Sequence, residues 1–122
     1  MKKSILIGLS LLCAGVAAQA DELFVSIHSA GAMAQGAGLV LASQALEQKV
    51  AVRMLLCDAA GDIAVTGQQM PTLKAGAQVE VCALYLPNSG RQASDLVAGV
   101  TPAKPADVAA HLLKPGVRTL AF

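Results

Sequence analysis

Aromatic residues are almost missing from this 122-residue chain, which has two phenylalanines, one tyrosine and no tryptophan. Surfaces that bind single-stranded nucleic acid need rings for stacking and a basic stripe for phosphates. Here nine Lys and Arg are scattered among eight Asp and Glu. The composition therefore argues against nucleic-acid binding and against anionic-membrane binding. Cysteine is scarce as well: Cys13, Cys57 and Cys82 are too few for a disulfide-built scaffold. Common catalytic fingerprints are also missing. There is no G-x-S-x-G elbow and no Walker loop, and Gly31, Gly36 and Gly38 do not fit the dinucleotide spacing. No ligand spacing links Cys57, Cys82, His28 and the methionines into a soft-metal site, so no metal or other cofactor is expected.

The one long apolar run lies at the start. Lys2 and Lys3 precede an apolar stretch from Ile5 to Ala18, and Ala18-Gln19-Ala20 has the small-residue pattern of a cleavage site. That order reads as a secretory signal peptide. The stretch falls short of the roughly 18 residues of a membrane span, so no span is expected after cleavage. Leu12 stands before Cys13, where a lipoprotein site would have a small residue. The expected organisation is a signal peptide over residues 1–20 and a single domain over 21–122, periplasmic or secreted. Without Lys2 and Lys3, seven basic residues face eight acidic ones, a net charge of −1.

The remaining length suits one core. With only Phe24, Tyr85 and Phe122 aromatic, that core must consist mainly of Ala, Val and Leu. Leu23–Ile27, Val50–Leu56 and Val117–Phe122 read as strands, a third strand begins at Val79, and Val100–Lys104 is a short extended piece. Ala32–Lys49 carries Leu39, Val40 and Leu46 at helical spacing, with Gly36 and Gly38 open to close backbone packing. Pro71 and Gly76 bracket a short helix, and Pro87-Asn88-Ser89-Gly90 reads as a loop. Ala93–Ala98 reads as a short helix stopped by Gly99, and Ala106–Leu113 as a helix between Pro105 and Pro115. Strands alternating with helices imply crossover connections. The expected fold is a three-layer α/β/α sandwich with a mostly parallel sheet of about five strands.

Sheets of this kind bind ligands outside the carboxyl ends of their strands. That rule singles out His28, Cys57 and Cys82. Cys82 has three readings. On a continuous strand from Val79 to Leu86 it shares a face with Glu80, Leu84 and Leu86, packed and inert. At a strand end, backbone N–H groups of the following segment favour its thiolate. In an oxidising compartment it pairs with Cys57, 25 positions away. Cys57 alone is a poor nucleophile, because the charge of adjacent Asp58 raises a thiol pKa. His28 is a candidate base beside Cys82, set against the commoner role of a hydrogen-bonded structural histidine. His111 reads as structural, Asp58 and Asp62 as a solvated turn, and Asp107 and Lys114 as surface residues.

The order of elements and the place of Cys82 resemble the DsrE/DsrF-like family of small sulfur-relay-like proteins. The resemblance runs from Leu23 to Phe122 and is best defined over VEVCALYLPNSGRQASDLVAGV and TPAKPADVAAHLLKPGVRTLAF. It implies a parallel five-stranded α/β/α sandwich assembled as homotrimers or homohexamers. It also implies that Cys82 carries sulfur as a persulfide, exchanged with a donor and an acceptor that are proteins or small thiols. It places the second and third strands side by side, which suits a Cys57–Cys82 bridge. Leu84-Tyr85-Leu86-Pro87 stands where relay members have small residues, and the leader departs from their cytoplasmic setting. The alternative is a non-catalytic oligomeric binding module with its cysteines buried or linked.

Overall fold

The structure, a computed structural model, describes residues 21–66 and 69–122. The expected signal peptide, residues 1–20, lies outside the described residues. The described chain runs β1 (Glu22–Ile27), α1 (Ala32–Glu47), β2 (Ala51–Leu56), α2 (Pro71–Lys74), β3 (Gln78–Val81), α3 (Tyr85–Ser89), β4 (Thr101–Pro102), α4 (Pro105–Leu112) and β5 (Val117–Ala121). Two 3-10 helices, Asp58–Ala64 and Ala93–Asp95, lie after β2 and α3. The strands form one sheet in the order β4-β3-β2-β1-β5, and every pairing is parallel.

Alternation along the strands divides the residues between two faces. Val25 and Ile27 of β1, Val52, Met54 and Leu56 of β2, and Val79 and Val81 of β3 make one continuous apolar face. Helix α1 packs on it through Ala42, with Leu39 and Leu46 alongside. Gly38 permits that approach, because a Cβ there would stand 2.7 Å from Ile27 Cδ1. Gly36 has no such role and faces nothing within 4 Å. Helix α1 is apolar on its outer side too, where Met33, Val40 and Leu41 are exposed.

Phe24, Arg53 and Glu80 point to the opposite face. There Arg53 Nε donates to Glu80 Oε1 at 2.6 Å, and both residues are buried. Helix α4 covers part of this face. Its buried His111 lies against Phe24, with ring centroids 6.0 Å apart, and its Nε2 is 3.2 Å from Glu22 Oε2. Helices on both faces make the three-layer α/β/α sandwich expected from the sequence.

Two local expectations are corrected. The segment Pro87–Gly90 is not a loop, because residues 85–89 form α3. Pro87 sits within its first turn, where the missing N–H has no intrahelical partner to lose. Gly90, with φ 72°, then ends the helix in the left-handed conformation. The helix expected over Ala93–Ala98 shrinks to the single turn Ala93–Asp95. Leu96 leaves the helical path to bridge Val65 in antiparallel fashion, and Gln92 N–H donates to Asp95 Oδ2 at 2.8 Å.

Candidate functional site

Three strands end in step, and the next residue of each carries chemistry. His28, Cys57 and Cys82 directly follow β1, β2 and β3. The ladder continues through them: Cys57 N–H donates to Ile27 O and Cys82 N–H to Leu56 O, both at 2.9 Å. His28 N–H donates to Phe122 O at 2.8 Å on the other side. Parallel pairing therefore places His28, Cys57 and Cys82 side by side on the carboxyl edge of the sheet.

Cys57 and Cys82 are joined by a disulfide, with Cα atoms 5.0 Å apart. The continuous-strand reading of Cys82 is overturned, because β3 stops at Val81. The chain turns at once, and Tyr85 N–H donates to Cys82 O at 2.9 Å to open α3. The two residues differ in setting: Cys57 is 7% exposed, whereas Cys82 is only half-buried.

The bridge forms part of the wall of a cleft of about 630 Å³, lined also by His28, Asp58, Asp62, Tyr85, Asn88 and Ser89. Tyr85 is its main structural piece. The ring lies directly over Gly61, where any Cβ would overlap it. Its hydroxyl donates to Asp62 Oδ1 at 2.6 Å, and Arg91 Nη2 lies 3.5 Å from the same oxygen. Burial pushes the Tyr85 phenol above its ordinary value, the Asp62 hydrogen bond and charge push the same way, and Arg91 opposes them. His28 is exposed on the cleft and shares a 2.6 Å hydrogen bond through Nε2 with the buried Ser26 Oγ. Its hydrogen bond is to its own strand and not to a cysteine.

Cys82 also borders a second opening. On the α4 side, a groove of about 290 Å³ is lined by Leu55, Ala83, Ala103, Pro105, Val108, Ala109, Leu112 and Cys82 itself. Apart from Cys82, its side chains are apolar. Among the described residues, no three His, Cys, Asp or Glu side chains gather in a way that could hold a metal ion. No helix among them is long and apolar enough to cross a membrane.

Reasoning from the sequence singled out His28, Cys57 and Cys82 but took Asp62 for a solvated turn and did not link it to Tyr85 and Arg91. One signal was present. Tyr85 is the only tyrosine in a chain nearly without aromatics, and it stands three residues after Cys82.

Sheet order, crossovers and the cleft on the carboxyl edge define the class of the fold, a three-layer α/β sandwich with an all-parallel five-stranded sheet. It is similar to the solved structure of the YchN protein from E. coli, with a TM-score of 0.72 and 20% sequence identity, covering 84% of this chain and 99% of that one. It is also similar to MTH1491, a protein of unknown function from Methanobacterium thermoautotrophicum, with a TM-score of 0.64 and 13% identity, covering 83% of this chain and 98% of that one. At these identities the likeness is one of fold. No protein-family model matches the chain, and neither does any curated protein.

Proposed function

We propose that this is an exported DsrE-like protein that binds or transfers sulfane sulfur through Cys82, with the Cys57–Cys82 disulfide as its resting form. One observation carries the reading: Cys82 stands directly after β3 on the carboxyl edge of the sheet, half-buried and bordering an open cleft. In mechanism, two thiol equivalents first reduce the bridge through a mixed disulfide and leave as a disulfide of their own, which frees both cysteines. The Cys82 thiolate then attacks the outer sulfur of a sulfane-sulfur donor, the donor's thiolate leaves, and Cys82 holds a persulfide. An acceptor thiolate takes the terminal sulfur and releases the Cys82 thiolate again. Donor and acceptor are proteins or small thiols. Export is supported by the leader-like first twenty residues and by the bridge, since disulfides persist in oxidising compartments. Self-assembly is supported by the exposed Met33, Val40 and Leu41 on α1, and the family resemblance suggests trimers or hexamers.

The bridge also favours a second reading, a non-catalytic binding module in which the disulfide is structural. The test is to reduce the protein, offer inorganic polysulfide, alkylate, and read the mass of wild type and Cys82→Ser. Sulfur gained by wild type alone supports the carrier. Loss of folding on reduction, with no sulfur gained, supports the module.

A further inference from the structure

We infer that the Cys57–Cys82 disulfide is itself the oxidant that loads Cys82, and that its substrate is hydrogen sulfide. The inference rests on the carrier reading above and names the sulfur source for that site. Hydrosulfide attacks Cys82 Sγ, an S–S bond forms between them, and the Cys57–Cys82 bond breaks. The products are a Cys82 persulfide and a Cys57 thiolate, which takes a proton from water. The sulfide sulfur is oxidised to the sulfane level, and the two electrons it gives up are those that reduce the bridge. No other oxidant or co-reactant is needed, so an oxidised site in an oxidising compartment is ready to load.

The structure selects the sulfur that is attacked. Access is one determinant of such exchange: both cysteines line the cleft, but Cys57 is only 7% exposed, and of the two only Cys82 also borders the α4 groove. Displacement at a disulfide sulfur runs in line with the bond being broken. Cys57 lies on the β2 side of Cys82, and β4 lies on the other. The line of attack on Cys82 therefore comes from the β4 side, where Ala103 and Pro105 border the apolar groove. The cleft carries the carboxylates of Asp58 and Asp62, which repel an approaching anion. Hydrogen sulfide enters the apolar groove as a neutral molecule and gives its proton to solvent before attack. With the two Cα atoms 5.0 Å apart, the Cys57 thiolate stays within reach of the persulfide's inner sulfur. It re-forms the bridge and expels hydrosulfide when no acceptor arrives, so loading is reversible.

The test uses the oxidised mature protein and oxygen-free sodium sulfide, followed by alkylation, intact mass and peptide mapping. The expected result is a mass gain of one hydrogen sulfide, with the extra sulfur on the Cys82 peptide and an alkylated thiol on Cys57. Cys57→Ser, which leaves Cys82 free but removes the oxidant, loses sulfide loading completely and still takes sulfur from polysulfide. The wild-type arm decides the matter by itself if that variant does not fold. If sulfide adds nothing while reduced wild type still takes sulfur from polysulfide, this loading route is wrong and the carrier reading stands. If neither reagent adds sulfur, both fall. Extra sulfur on Cys57 overturns the assigned direction of attack.

Discussion

Cys57 and Cys82 occupy equivalent points on neighbouring strands, each one residue past its strand's end, with Cα atoms 5.0 Å apart. That separation falls inside the range of about 4.4–6.8 Å that unstrained bridges span. The parallel ladder between β2 and β3 thus prepares the bridge before any sulfur chemistry occurs.

The first prediction concerns this pair. The protein recovered from an oxidising compartment has a mass two hydrogens below the dithiol form, and neither cysteine alkylates until it is reduced. In the chain-entropy model a bridge spanning 25 positions stabilises the fold by roughly 3 kcal/mol. Denaturant melts with and without reductant check this, and reduction lowers the midpoint.

The second concerns Tyr85. It is the only tyrosine and there is no tryptophan, so a phenolate absorbance titration reads this side chain alone. The midpoint lies above the ordinary value of 10.0. Asp62→Asn lowers it, by removing the carboxylate that disfavours phenolate. The linkage sign follows: a raised folded pKa gives stability that is fully present below about 10 and is lost as pH rises through the folded value. Tyr85→Phe abolishes that alkaline loss, which melts at increasing pH measure.

How much of this was readable beforehand differs from element to element. Strands β1, β2 and β5 and helix α1 show their own period and end signals, so each is legible locally. The turn at Cys82 is not. Val79 to Leu86 fits a strand by residue type, and only the packing of Tyr85 over Gly61 and its bond to Asp62, 23 positions away, draws the chain into α3. Helix α3 also contains Pro87, which composition assigns to a loop. The disulfide depends on β2 and β3 being neighbours, and no local pattern reports strand order. No local pattern announces the Arg53–Glu80 pair either, because its 27-position pairing exists only after the sheet forms.

The third prediction follows from that pair. Arg53→Met leaves Glu80 as a buried, uncompensated charge and destabilises the fold by about 3–5 kcal/mol. Replacing both residues with apolar groups of similar volume costs much less than the single change. Denaturant melts of the single and double variants give the comparison.

The fourth tests self-association through α1. Met33 is 89% exposed and Val40 60%, on a helix already packed on its other side. Changing Met33 and Val40 to Gln shifts the sedimentation behaviour toward the monomer, while the unfolding free energy of the isolated subunit stays within about 0.5 kcal/mol of wild type.

The most direct measurement is persulfide trapping on reduced protein exposed to polysulfide, with the modified residue located by peptide mass. The expected result is one added sulfur on the Cys82 peptide of wild type and none in Cys82→Ser, with both variants folded. A folded, reduced protein that takes up no sulfur, or that places it on Cys57, would contradict the assignment of Cys82 as the sulfur carrier.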